Sequence, residues 1–395
     1  MSTALIEQAT DVSEFVQLRR DLHQHPELAY QEFRTSELVA QALQAWGYQV
    51  TRGLGGTGVV GQLRRGTGPK KLGLRADMDA LPITEQTGLP HASRHAGVMH
   101  ACGHDGHTAM LLAAARQLAE SDTFDGTLNL IFQPAEEGHG GAKKMMEDGL
   151  FERHPCDAIF AMHNMPGFPV GHLLFRHGAT MASSENITIT LHGVGGHGAM
   201  PNLAIDPVVA GAAIVMGLQT IVSRNVAPLQ MAVITVGSFQ AGKANNVIPQ
   251  TATLELSVRS LDRDVRRLLN SRIEALVQAQ AESFGVRAEI NFRGGYPVLV
   301  NTAAETDFAT EVGLALLGPD RVDANTAPLT GSEDFAFMLE EVPGSYLFIG
   351  NGDEHSGGHG ACMVHNPSYD FDDSNIAVGS AYWVLLTQRY LAQAT

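Results

Sequence analysis

The segment Met99-His100-Ala101-Cys102-Gly103-His104-Asp105-Gly106-His107 sets a thiol and an imidazole two residues apart, with Gly103 leaving room for both to turn toward one ion. Thiolate and imidazole together suit zinc and its neighbours in the transition series. An ordinary loop cysteine beside a helix cap at Asp105 would spell the same letters. Three further places hold donors after apolar, strand-like runs: Glu136 and Glu137 after Leu130-Ile131-Phe132-Gln133-Pro134, His163 in Ala161-Met162-His163-Asn164, and His365 in Met363-Val364-His365-Asn366-Pro367. Adjacent carboxylates at a strand end are costly to crowd together unless a cation neutralises one, since like charges at close range raise a pKa. One of the pair can then ligate while the other stays available as a base. The alternative is a solvated helix start ahead of residues 140–146, favoured by the helix dipole. His163 and His365 singly read as satisfied structural histidines, so only the donors taken together point to a metal.

Donors scattered over 260 residues need a scaffold that brings them to one place, and the 395-residue chain is too long for one ordinary core. Two domains are expected. Apolar residues at helical spacing over 12–22 and 33–46 open the chain, followed by short apolar runs at 59–63, 72–76, 128–132 and 158–162 with helices such as 108–118 between them. That alternation predicts an α/β sheet with helices on its faces. In such sheets chemistry collects beyond the carboxyl ends of strands, where Asp77 and Asp79, Glu136 and Glu137, and His163 follow Ala76, Phe132 and Met162. Taken alone, Asp77 and Asp79 also read as strand-terminal turn carboxylates.

Over 184–294 the pattern changes to a strand alternating at Ile187, Ile189 and Leu191, a helix at 207–221, strands at 231–239 and 251–258, a helix at 262–284 and a strand at 287–292. The order β-α-β-β-α-β is ferredoxin-like. Helices at 303–316 and 376–391 around a strand at 346–349 then resume the first pattern, so residues 1–183 and 295–395 are expected to form one discontinuous domain and 184–294 an insertion.

With 44% hydrophobic and 17% charged residues the chain is globular, not disordered or fibrous. Lys plus Arg at 26 against Asp plus Glu at 42 leaves a formal charge of −16, which repels phosphate backbones and argues against a nucleic-acid partner. No apolar run is expected to approach the roughly 18 residues of a membrane span. The start MSTALIEQATDVSEF lacks the basic-then-apolar order of an export signal. A soluble cytoplasmic protein with a small-molecule partner is expected. The three cysteines, Cys102, Cys156 and Cys362, are odd in number and argue against a disulfide framework.

Ordered blocks run along nearly the whole chain: RRDLHQHPELAYQE at 19–32, LRADMDALPI at 74–83, MHACGHDGHT at 99–108, QPAEEG at 133–138, GGHGAMP at 195–201, NNVIP at 245–249, GSEDF at 331–335 and HNPSYDFDD at 365–373. In these blocks the chain resembles the dinuclear metallo-amidohydrolases, the family of hippurate hydrolase, the indole-acetyl amino acid hydrolases and other N-acyl-amino acid amidohydrolases, with aminoacylase and bacterial glutamate carboxypeptidase more distant. The resemblance implies a zinc-peptidase-like catalytic domain with a mixed sheet, plus an inserted ferredoxin-like α+β domain serving as lid and dimerisation surface, hence a homodimer or a dimer-based homo-oligomer. It implies that Cys102, His104, Glu137, His163 and His365 ligate two divalent ions, drawn from Zn, Mn, Co or Ni, with Cys102 bridging. The wider superfamily places an Asp at the bridge and a His at the end of the strand that finishes here in Asp77; His104 would supply that imidazole. Asp77 and Asp79 would orient ligating imidazoles.

By the same resemblance Glu136 is the general base for a metal-activated water, and no nucleophilic side chain is needed, in keeping with the lack of a G-x-S-x-G elbow. His197 would stabilise the tetrahedral oxyanion, a contribution of about 2.7 to 4 kcal/mol for one placed donor. Without the resemblance, His197 reads as a turn residue exposed by Gly195, Gly196 and Gly198. Asn246 would bind the substrate carboxylate or carbonyl. The implied reaction splits an N-acetyl, N-benzoyl or aryl-acyl amino acid into an acid and a free amino acid. A dipeptidase or carboxypeptidase of the same fold, and a non-catalytic binding protein on a hydrolase scaffold, are the alternatives.

Overall fold

The computed structural model describes residues 12–355 and 357–392. The amino-terminal stretch inspected for an export signal falls, over residues 1–11, outside the described residues. The chain divides into two compact units, one of Met1–Gly178, Val300–Ala327 and Phe337–Thr395 and a second of Ala179–Leu299 and Pro328–Ala336.

The first unit holds an eight-stranded mixed sheet in the order Gln49–Leu54, Gly58–Arg65, Gly126–Gln133, Lys71–Asp77, Ala158–Pro166, Gly344–Gly352, Leu173–Leu174, Val322–Asp323. Its four central strands, Gly126–Gln133 through Gly344–Gly352, run parallel. Every residue of Gly126–Gln133, Ala158–Pro166 and Gly344–Gly352 is buried, as expected of strands covered on both faces, whose apolar runs are nearly continuous. Parallel alignment sends the carboxyl ends Asp77, Gln133 and Pro166 to one edge, where the polar residues gather.

The helix expected at 108–118 begins one turn earlier and spans His104–Ala119. Apolar periodicity missed that turn because His104, Asp105 and His107 are polar, yet all three are buried. Helix Asn375–Tyr390 packs across it so closely that a Cβ on Gly379 would stand 2.2 Å from Met110 Sδ.

The second unit is a four-stranded antiparallel sheet in the order Ala232–Ala241, Thr251–Ser260, Ser183–His192, Arg287–Phe292, with helices Pro207–Asn225 and Arg263–Ser283. Ile187, Ile189 and Leu191 point into its core, and the helices begin at Asp206 and Asp262, whose side chains accept the first backbone N–H groups. Val265, Leu269, Ile273, Val277 and Ala281, four residues apart, form the buried stripe of the second helix. Against expectation, Pro207–Asn225 is long and apolar enough to span a membrane by length and composition. Within its own unit, one face of that helix buries Ala210, Ile214, Leu218 and Ile221.

Candidate metal centre

Gly103 creates the turn from which the site is built. Its φ of 90° lies in the left-handed region, and a Cβ there would stand 2.2 Å from Asn164 Oδ1 and 2.5 Å from the Tyr369 hydroxyl. The chain can therefore fold back tightly, placing Cys102 before the helix and His104 on its first turn. His104, His107 and Thr108 share the helix face that meets the end of strand Lys71–Asp77. There His107 Nδ1 lies 2.6 Å from Asp77 Oδ1, and the Thr108 hydroxyl donates to the Asp77 carbonyl at 2.9 Å. Arg75 donates to Asp77 Oδ2 at 2.7 Å. Burial alone would raise the Asp77 pKa, but His104, Arg75 and His107 beside it hold the carboxyl well below the usual range.

Asp79 does two jobs at once. Its Oδ1 lies 3.2 Å from His104 Nδ1, while its two oxygens accept the backbone N–H groups of Glu136 and Glu137, each at 3.0 Å. The adjacent glutamates are thereby held beside the histidine. They follow Ala135, a non-glycine residue at φ 55°, and His365 is likewise left-handed at φ 67°. His365 is fixed through its backbone N–H, which donates to the Ala101 carbonyl at 2.7 Å. His163 sits inside strand Ala158–Pro166, its Nδ1 2.6 Å from the Asn164 carbonyl and its Nε2 3.4 Å from Cys102 Sγ.

The donor atoms converge in overlapping groups. Those of Cys102, His104 and His163 lie within 4.8 Å of one another, as do those of Cys102, Glu137 and His365 and those of His104, Glu136 and Glu137. Cys102 is common to the first two. His104 Nε2 and Glu137 Oε1 are buried without a hydrogen-bond partner and stand 4.0 Å apart, and Glu137 Oε1 is 3.2 Å from His365 Nε2. Buried polar atoms without hydrogen bonds call for another partner. Burial, together with Glu137, Glu136 and Asp77, pushes the Cys102 thiol well above its usual pKa. Burial opposes charge on His104, yet Asp77, Asp79 and Glu137 raise it to about 10. Thiol, imidazole and carboxylate in an anionic cluster, buried at Cys102, His104 and His163 and open at His365, fit a divalent transition metal, whose charge would favour the thiolate.

Residues 73–389 match peptidase family M20/M25/M40. The chain belongs to that family. Hippurate hydrolase of Campylobacter jejuni is 45% identical over 378 residues, covering 96% of this chain and 97% of that protein. N-acetyl-L-cysteine deacetylase of Bacillus subtilis is 38% identical over 383 residues, 96% of this chain and 88% of that one. A solved dinuclear metal-binding peptidase of the M20 family from Bacillus subtilis superposes with a TM-score of 0.81 at 33% identity, covering 96% of this chain and 98% of the other. Membership of family M20/M25/M40 makes this chain an amide-cleaving hydrolase, as the ordered blocks implied.

In the first unit, overlapping donor groups and hydrogen bonds link Asp77, Asp79, Cys102, His104, Glu136, Glu137, His163 and His365 to one another. His197 and Asn246 belong to the second unit, where they are neighbours: Gly196–His197 pairs with Val247–Ile248, Gly198 N donates to the Asn246 carbonyl at 2.8 Å, and His197 is exposed. Residue types and spacing missed His107, whose Nε2 lies 2.7 Å from Asn164 Oδ1, and Tyr369, whose hydroxyl accepts from Asn164 Nδ2 at 2.7 Å. For His107 the signal was present, three residues beyond His104 on the same helix face. Nothing local marks Asn164 or Tyr369.

Proposed function

We propose that the protein is a dinuclear metal-dependent amidohydrolase that splits N-acyl amino acids into a carboxylic acid and a free amino acid. Cys102 supports this most directly, because it belongs to two donor groups at once, with His104 and His163 and with Glu137 and His365. The relatives named hippurate hydrolase and N-acetyl-L-cysteine deacetylase support the acyl amino acid as substrate. When bound, two divalent ions polarise the scissile carbonyl and acidify the attacking water. Glu136, anchored through its backbone to Asp79, takes up a proton from that water and passes it to the departing amine nitrogen as the C–N bond breaks. Glu137 is the ligand of the pair. His197 is proposed to donate to the carbonyl oxygen as negative charge develops there, and Asn246 beside it to bind the substrate carboxylate or carbonyl.

The resident metal is proposed to be Zn, Mn, Co or Ni, and the working protein a homodimer joined through the inserted unit. Strand Ala232–Ala241, at the sheet's edge with Val233 and Phe239 exposed, supports that assembly. Three free cysteines suit a reducing cytoplasm. The deciding experiment strips the protein of metal, restores Zn, Mn, Co or Ni singly, and assays N-acetyl, N-benzoyl and indole-acetyl amino acids beside dipeptides. Activity should vanish and return with metal, with the acyl amino acids preferred. Full turnover by a preparation shown by elemental analysis to be metal-free would overturn the proposal.

A further inference from the structure

Of the segments that carry donors, only the one with His163 is the interior of a strand. Cys102 and His104 flank a glycine turn, Glu136 and Glu137 follow the left-handed Ala135, and His365 is itself left-handed. Backbone held in such conformations persists only where its surroundings over-determine it. The stretch 19–32, whose sequence RRDLHQHPELAYQE holds none of the proposed metal or catalytic residues, supplies those surroundings.

Arg19 is wholly buried, although a guanidinium is seldom left inside a protein without partners. Its Nε donates to Asp105 Oδ2 at 2.8 Å, its Nη2 to Asp370 Oδ1 and its Nη1 to Asp373 Oδ1 at 3.3 Å. Asp105 follows His104 directly, and Asp370 and Asp373 close the segment that begins at His365. One planar fork thus joins the two segments. Glu32 Oε1 accepts the Ala135 backbone N–H at 2.9 Å and that of Tyr30 at 3.0 Å, while Oε2 accepts from the Thr57 hydroxyl at 2.5 Å. Between them, the Glu27 carbonyl accepts the N–H of Ala80, next to Asp79, at 2.8 Å.

We propose that residues 19–32 are the positioning segment of the metal centre, in which Arg19 sets the spacing of His365 from Cys102 and His104, and Glu32 sets the turn that aims Glu136 and Glu137. Neither residue touches metal or substrate. The proposal rests on the dinuclear reading of the site, and its test separates the two. Lysine cannot replace Arg19, because an ammonium cannot meet three carboxylates in one plane, whereas glutamine at 32 can still accept the Ala135 N–H.

The test compares cobalt-loaded wild type with Arg19→Lys, Glu32→Ala and Glu32→Gln. Cobalt stoichiometry, affinity against a competing chelator and the visible ligand-field spectrum are read, with circular dichroism as the check on fold. Arg19→Lys and Glu32→Ala should remain folded, bind cobalt at least tenfold more weakly and shift the spectrum, while Glu32→Gln stays within twofold of wild type. If Arg19→Lys does not fold, Asp370→Ala, which leaves the Arg19–Asp105 pair in place, should show the same weakening. A purely structural role would lower thermal stability yet leave the affinity and spectrum of the folded protein unchanged, and that result overturns the proposal. Wild type that binds two equivalents, with variants that bind them identically, overturns this inference alone. Wild type that binds no cobalt overturns the dinuclear reading and this inference together.

Discussion

Asp79 Oδ1 stands 3.2 Å from His104 Nδ1, and this contact decides which nitrogen of the ring is left to face the donor cluster. With Nδ1 engaged, Nε2 is the buried atom without a hydrogen-bond partner. The same carboxylate holds the backbone of both glutamates. Replacing it should therefore disturb two donors without removing either. Asp79→Ala is expected to weaken metal binding by about 10- to 100-fold, the usual consequence of losing a group that orients a ligand. Chelator competition measures it, and wild-type affinity in the variant would show that His104 is oriented by something else.

Glu136 and Glu137 are adjacent, and Glu137 Oε1 lies 3.2 Å from His365 Nε2. Glu136→Gln should keep both metals and lose about 10²-fold or more in kcat, as befits a missing general base. Glu137→Gln should lose metal. Elemental analysis beside turnover separates the two, and the opposite pattern would mean that the roles are reversed.

The strands and helices of both units were largely legible because burial and periodicity coincide in them: Thr251–Ser260 alternates buried and more exposed residues, and Arg263–Ser283 follows its four-residue apolar spacing. The donor residues were legible by type, since cysteine, histidine and paired glutamate after apolar runs are chemically conspicuous. Their convergence was not, because it depends on a parallel sheet that brings Asp77, Gln133 and Pro166 to one edge. The first turn of His104–Ala119 was hidden for the opposite reason, its residues being polar because they serve the site. Arg19 and Glu32 were illegible as anchors, since their partners Asp370 and Ala135 lie far away in sequence and leave no local pattern.

Gly103→Ala tests the turn itself. A left-handed alanine costs about 1–2 kcal/mol. Forcing its methyl against Asn164 and Tyr369 adds about 1–3 kcal/mol of overpacking. Chemical denaturation should show a combined loss of roughly 2–5 kcal/mol. A variant as stable as wild type would mean that the turn relaxes freely and that Gly103 is not needed for it.

His197 is exposed on a short strand pair beside Asn246, so its removal should leave the fold alone. If it stabilises charge that exists only in the transition state, His197→Ala should lower kcat by about 10²-fold or more, with KM and metal content little changed. A loss confined to KM would instead assign His197 to ground-state binding.

Glu32 makes the pH dependence of stability a further check. Burial raises its carboxyl to about 7, reinforced by the nearby Asp79 charge and opposed by hydrogen bonds from Thr57 and from backbone N–H groups, including that of Ala135. From the ordinary 4.5 up to about 7, the unfolded chain releases this proton while the folded protein keeps it. The folded state then binds more protons, so this group's contribution falls as pH rises through that window and is flat above it. The total is at most about 3 kcal/mol. Glu32→Gln cannot titrate, so the difference between wild-type and variant unfolding free energies should slope downward between pH 4.5 and 7 and level off beyond. Measuring both proteins free of metal keeps ligand protonation at the centre out of the comparison, since it is common to the two. A flat difference across the window would mean that the Glu32 carboxyl titrates alike in the folded and unfolded chains, and that its hydrogen bonds to the Ala135 turn are made by a carboxylate at neutral pH.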